Sequence, residues 1–473
     1  MRRSMGIPLL LVAACALGRA DVRAEGLRVG AAEVVITPPV GAPMAGYYSR
    51  RASEGVHDDL HAKALVIEVG GAKSALVALD LISTTRDLVE EARHEIEAVT
   101  GVRSAAVMIS ATHAHTSPVL SGRGTREAAF GGATDLAREY RAGLPKRIAE
   151  AVRLAETRAS ASRIMVARGR ESSIAFNRRF HMKDGTVGWN AGKLNPHILK
   201  PAGGIDPDVP VVYFESTARK PLATYVNYAV HLDNVGGMKI SADMPYTLSR
   251  LLADFKGPNM ITLFTAGCCG DVNHIDVTWA EPQKGFENAA RMGTILAAEV
   301  LRAWPRLTAI EPSALRTRSE TVSLELPEIS RDDVAGARAI VARRDDPKAT
   351  QPTFLESVQA FKVLDVAARE GRRQEVEVQV VALDDDIAWV SLPGEIFVEL
   401  GLAIKQDSPF SYTIIAELAN GSIGYIPSRR AYAQGNYEVV SARCAEDSGE
   451  RLVDAALRLL KGLHTEATAK PRP

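Results

Sequence analysis

Cysteine is scarce: the 473 residues hold four, Cys15, Cys268, Cys269 and Cys444. Two are adjacent, and the set does not make the disulfide framework that staples small exported domains. One bridge from Cys444 to Cys268 or Cys269 and a set of buried free thiols both remain open. Net charge is absent too, with 57 basic residues against 57 acidic ones. A phosphate backbone calls for a basic surplus or stripe, so nucleic acid is excluded as a partner. No apolar run reaches the about 20 residues that span a bilayer. There is no repeat, low-complexity linker or sharp compositional break. Two hydrolase signatures are also missing, the Gly-x-Ser-x-Gly elbow of serine hydrolases and the His-Glu-x-x-His helix of metalloproteases.

What is there is an ordinary globular balance, 46% hydrophobic and 24% charged, with ample material for a large core. Residues 1–24 read as an export signal: Met1-Arg2-Arg3, an apolar stretch from Gly6 to Leu17, and the small-residue pattern Val22-Arg-Ala24. Its removal takes away four arginines and one aspartate, leaving 53 basic against 56 acidic residues. The mature chain, 25–473, is expected in the periplasm or secreted. Val12-Ala-Ala-Cys15 resembles a lipobox, which makes lipid anchorage at Cys15 the alternative.

Apolar runs predict strands at Ala31 to Ile36, Ala62 to Val69, Ala75 to Leu81 and Ala105 to Ile109, with a helix from Thr84 to Val99. A helix from Glu127 to Ala159, a strand from Ser162 to Gly169 and a long irregular segment from Glu171 to Asp208 follow. Strands recur at Val209 to Glu215, Ala223 to Ala229 and Met260 to Ala266, among helices at Pro245 to Phe255 and Phe286 to Trp304. Helical patterns at Arg331 to Ala342 and Phe354 to Glu370 precede a hairpin, Val376 to Leu383 and Ile387 to Leu392, turning at Asp384-Asp-Asp386. A strand from Tyr412 to Glu417 and an amphipathic helix from Glu450 to Leu463 complete the chain. The expectation is one large α/β domain with mixed β-sheets flanked by helices.

The most informative segment is Ser110-Ala-Thr-His113-Ala-His115, directly behind the strand that ends at Ile109. In extended chain, residues i and i+2 face one side, so His113 and His115 can present imidazoles to one ion or one substrate. Two polar residues that merely face water at a strand end are the plainer alternative. His231 likewise leaves the strand Thr224 to Ala229, Glu395 follows Ile387 to Leu392, and Tyr425 follows Tyr412 to Glu417. Convergence at one rim of a sheet would let the four share an ion. Taken singly, Glu395 also suits a helix N-terminus and Tyr425 an ordinary loop.

The blocks Ile36-Thr-Pro-Pro, Ser110-Ala-Thr-His-Ala-His, Asn177-Arg178, the His231 strand, Gly270-Asp271-Val272, Leu392-Pro-Gly-Glu395 and Tyr425-Ile-Pro-Ser…Tyr432…Gln434…Tyr437-Glu438 occur in the order found in neutral/alkaline ceramidases. Over nearly the whole mature chain the sequence resembles that family's catalytic domain. The resemblance implies zinc held by His113, His231, Glu395 and Tyr425, with His115, Arg178 and Tyr437 at the reacting centre. It implies hydrolysis of an N-acyl amide, of a lipid or other small molecule, by water that zinc acidifies to a pKa of roughly 7. His115 would carry a proton to the departing amine, and Arg178 or Tyr437 would stabilise the oxyanion. Peripheral membrane contact is compatible with such a substrate, and no obligate protein partner is evident.

The chain departs from the family pattern in three places. Where the family has Gly-Asp-x-Ser-Pro-Asn, this chain has Gly270-Asp271-Val272-Asn273-His274-Ile275, so the serine position holds Asn273. An acyl-serine route is lost there, and the Asn273 amide becomes a candidate oxyanion donor. His231 is followed by Leu-Asp-Asn rather than Gly-Thr-Ser-Met, and the family's C-terminal immunoglobulin-like domain is not expected. These departures leave other acyl amides and esters open beside ceramide. His57 and His274 are open as outer metal contacts or as ordinary structural histidines. A metal-dependent amidohydrolase barrel would need its His-x-His on the first strand, and here it lies on about the fourth. A non-catalytic exported binding protein with the same fold is the non-enzymatic alternative.

Overall fold

A computed structural model of the chain describes residues 26–120 and 124–468; the export signal and the Cys15 anchor read from residues 1–24 lie outside the described residues. Two β-sheets stack face to face, and helices cover both outer faces. From edge to edge the larger sheet runs Ile261–Ala266, Pro221–Tyr228, Asp208–Ser216, Ser160–Arg170, Arg28–Val35, His61–Val69, Ala72–Leu79 and Val107–Ala111. The smaller one runs Leu315–Leu324, Gln374–Leu383, Ile387–Ser391 and Tyr412–Ala416.

Most neighbours are antiparallel, but three long pairs are parallel. These are Ala72–Leu79 with Val107–Ala111, Pro221–Tyr228 with Ile261–Ala266, and Ile387–Ser391 with Tyr412–Ala416. A parallel pair needs a crossover. The helices Arg86–Thr100, Met244–Lys256 and Val398–Asp407 supply one each. The carboxyl ends of these three pairs carry the candidate site.

Strand positions follow from burial on both faces. Along His61–Val69, residues Ala62, Ala64 and Val66 pack with the helices, while Leu65, Ile67 and Val69 pack with the other sheet. Such strands read as unbroken apolar runs, which is why the sequence reveals them. Trp389, Ile387, Val381 and Ile414 of the smaller sheet meet Val29, Leu65, Val212 and Phe214 of the larger one. Asn420 pins the corner: its Oδ1 accepts from the Ile109 N–H at 3.0 Å, and its Nδ2 donates to Gln379 Oε1 at 2.9 Å.

The mixed α/β class matches the expectation, and elements differ from it in four respects. The helix expected from Glu127 to Ala159 is broken at Gly131, φ 107°, and resumes as Asp135–Thr157 under a Thr134 cap. The segment expected to be irregular holds a small sheet of Ile198–Pro201, Arg179–Met182 and Val187–Trp189. Leu315–Leu324 is a strand the sequence reading lacked. The convergence expected at one sheet's rim is shared between two stacked sheets, because their parallel pairs end at the same side. Cys268, Cys269 and Cys444 are buried free thiols.

Candidate metal centre

His113 follows its strand with φ 77°, a left-handed backbone that costs a non-glycine residue about 1 kcal/mol or more. Bonds from Thr112 N to Leu79 O and from His113 N to Leu81 O, both 2.9 Å, hold that turn. The His113 Nδ1 lies 2.8 Å from Ile82 O, and the His231 Nδ1 lies 2.7 Å from Cys269 O. A carbonyl only accepts, so each Nδ1 carries the proton and each Nε2 keeps its lone pair for a ligand.

Glu395 and Tyr425 are placed by register, as partners in a two-residue parallel ladder whose second rung is Ile396 with Ile426. Glu395 Oε2 stands 3.5 Å from His113 Nε2 and 3.2 Å from His231 Nε2. The Tyr425 hydroxyl stands 3.4 Å from His231 Nε2. Donors on a tetrahedral zinc at its usual bond lengths are about 3.3 Å apart, so these residues fit such an ion. His115 completes a group of three imidazoles whose nitrogens lie within 4.8 Å of one another, its Nε2 at 3.3 Å from that of His113.

Around these donors, Arg178 gives Nε to Glu438 at 2.8 Å and Nη2 to Gly270 O at 2.7 Å, with its guanidinium 5.4 Å over the Tyr425 ring. Tyr437 packs against Tyr425, ring centroids 5.3 Å apart. Asn273 is tied into its own loop: Nδ2 donates to Asn190 Oδ1 and Oδ1 accepts from Ile275 N–H, both at 3.0 Å. His57 pairs with Asp58 at 2.7 Å and stacks on Phe286, whereas neither nitrogen of buried His274 makes a well-formed hydrogen bond among the described residues.

No family model matches the chain, and no curated protein matches it in sequence. Solved structures do match. The neutral ceramidase from Pseudomonas aeruginosa superposes with a TM-score of 0.72, over 93% of this chain and 75% of that one, at 18% identity. A ceramidase complexed with C2 gives the same TM-score and identity, over 93% and 76%. The fold is neutral ceramidase-like.

Within this neutral ceramidase-like fold the electrostatics suit ligation. Burial works against ionised Glu395, yet the adjacent His113 and His231 hold its carboxyl well below the usual carboxylate range. Burial, reinforced by Arg178 and His113, lowers His231 to about 3, and burial keeps His115 neutral. Neutral imidazoles and an ionised carboxylate are the states a metal takes, and His113, which burial lowers but Glu395 and the Ile82 carbonyl raise on balance, would release a proton on ligation.

The sequence reading missed Asp233, which faces His115 Nδ1 at 3.7 Å, a nitrogen with no hydrogen-bond partner among the described residues. Asp233 accepts from the Tyr47 hydroxyl and, at 3.0 Å, from Lys284 Nζ. Its signal was present as the Asp of Leu-Asp-Asn behind His231, read only as a departure from the family pattern. Beside Arg178 lies a cavity of about 480 Å³ lined by Phe180, Asn190, Ile275, Val277 and Pro282.

Proposed function

We propose that the protein is an exported, zinc-dependent hydrolase of acyl amides, ceramide or a related small molecule, built on a neutral ceramidase-like fold. The observation that carries this reading is the donor set: two imidazole Nε2 atoms, a carboxylate and a phenol spaced 3.2 to 3.5 Å. His113, His231, Glu395 and Tyr425 would hold the ion. When bound, zinc supplies Lewis acidity, which polarises an acyl carbonyl and makes water acidic enough to ionise near neutral pH.

The chain's own residues supply the rest. His115, kept neutral by burial, takes a proton from the attacking water and passes it to the departing amine, while Asp233 beside Nδ1 orients the ring and balances its transient charge. Arg178 is fixed by Glu438 and Gly270, so its charge is in place before the oxyanion develops. Burial raises the Tyr437 phenol, which keeps it a hydrogen-bond donor at working pH. The apolar cavity beside Arg178 accommodates an acyl chain, and residues 1–24 direct export.

The test is metal analysis together with hydrolysis of N-acyl amides and esters, short-chain ceramide included, by the zinc-loaded protein and by His113→Ala. Stoichiometric zinc and amide cleavage, both lost in the variant, are expected. Bound zinc without cleavage of any substrate, or a wild-type protein that takes up no metal, would overturn the proposal.

A further inference from the structure

Gly46, Tyr47 and Arg51 close around His115. Gly46, φ 102°, lies so near that a Cβ on it would stand 2.5 Å from the His115 carbonyl oxygen. Arg51 Nη2 donates to that same carbonyl at 2.9 Å, and its guanidinium covers the Tyr47 ring at 4.3 Å. The Tyr47 ring in turn meets the His115 imidazole edge to face, centroids 5.7 Å apart. Its hydroxyl donates to Asp233 Oδ1, the oxygen that faces His115 Nδ1 at 3.7 Å, while Lys284 Nζ donates to Asp233 Oδ2 at 3.0 Å.

A carboxylate oxygen offers two lone pairs, so Tyr47 occupies one on Oδ1 and leaves the other toward His115. Burial and Asp233 raise the Tyr47 phenol, which therefore stays a donor at any working pH. With Tyr47 and Lys284 both donating, Asp233 acts as an acceptor, and the His115 nitrogen that faces it is favoured as N–H. That nitrogen is buried, and Asp233 is the acceptor within its reach. Its proton leaves the lone pair on Nε2, the atom turned toward the metal ligand His113. Lys284 is half-exposed and holds Oδ2, so it is Tyr47 that fixes the oxygen opposite the ring.

We propose that Tyr47 is a positioning residue for the acid–base step: its hydroxyl locks Asp233 Oδ1 opposite His115 Nδ1, so that His115 presents a free Nε2 to the attacking water. The inference rests on the hydrolase reading of the same centre and deepens it. The proton passes from water to Nε2 and on to the departing nitrogen. Hydroxyl goes to the acyl carbon as the C–N bond breaks, and Tyr47 and Asp233 neither gain nor lose a proton. The Asp233 contact strengthens when the ring carries charge, in the transition state, so the role of Tyr47 shows in kcat rather than in KM.

Tyr47→Phe keeps the ring that packs on His115 and removes the hydroxyl. The experiment measures kcat, KM and zinc content for zinc-loaded wild type, Tyr47→Phe, Asp233→Ala and the double variant, on the amide or ester that wild type cleaves best. Nuclear magnetic resonance of isotope-labelled histidine nitrogens reads the His115 tautomer, its signals assigned by their loss in His115→Gln. Tyr47→Phe is expected to lower kcat about tenfold with KM and zinc content unchanged, and to cost nothing further on Asp233→Ala. Wild-type His115 is expected to carry its proton on Nδ1, and Tyr47→Phe to admit the Nε2–H tautomer. A kcat equal to that of wild type, an equal loss on Asp233→Ala, or a tautomer that Tyr47→Phe leaves unaltered overturns the proposal. If wild type cleaves no substrate the hydrolase reading falls, and the resonances alone decide: a tautomer shift in Tyr47→Phe sustains the positioning role, and no shift overturns it.

Discussion

Glu417 is fully buried, accepting from the N–H and thiol of Cys269 at 3.1 and 2.9 Å and from Ile396 N–H at 2.8 Å. Burial pushes its carboxyl up to about 8, with those donors and His113 opposing. The folded pKa stands above the unfolded value of about 4.3, so the stability this group contributes is complete below pH 4 and is lost as pH rises toward 8. Glu417→Gln removes the titration. Its Tm relative to wild type is expected to climb between pH 4 and pH 8 in a melting series. Asp233 gives a second test, since it touches His115 but none of the four proposed ligands. Asp233→Asn is expected to lower kcat about 10- to 100-fold with zinc content unchanged, a split that kinetics and metal analysis read separately. At this scale the sequence was most legible where a polar residue interrupts an apolar run, as at His113 and His231. It was least legible for Asp233, whose role depends on a neighbour 186 residues away, Tyr47.

Elements place the proposed ligands through contacts too short to leave a pattern. The ladder that sets Glu395 beside Tyr425 is two residues long on each side. Gly270 packs against it: a Cβ there would lie 2.4 Å from the Glu395 carbonyl oxygen, and the Gly270 N–H donates to Ile396 O at 2.8 Å. Gly270→Ala must therefore shift backbone at the ligand strand. It is expected to destabilise the protein by about 1–3 kcal/mol and to weaken zinc binding at least tenfold, measured by denaturant unfolding and zinc titration. Strands buried on both faces were legible because every residue is apolar. Leu315–Leu324 was not, since the run Arg316, Arg318 and Glu320 on its partly exposed positions masks an edge strand.

For the whole molecule, the sequence reading placed strands and helices but not the stacking of two sheets, because an apolar run says that both faces are covered and not by what. Trp389 sits wholly buried between the sheets. Trp389→Ala is expected to cost about 3–5 kcal/mol in denaturant unfolding, with zinc released in the same transition. The donors at 113, 231, 395 and 425 belong to both sheets, so no shorter stretch of chain contains the site. A nascent polypeptide has no complete binding place until residue 425 has emerged and the two sheets have docked. A chain threaded unfolded across a membrane would then take its ion on the far side, and which metal it carries would be decided by supply in that compartment as well as by the chemistry of its donors.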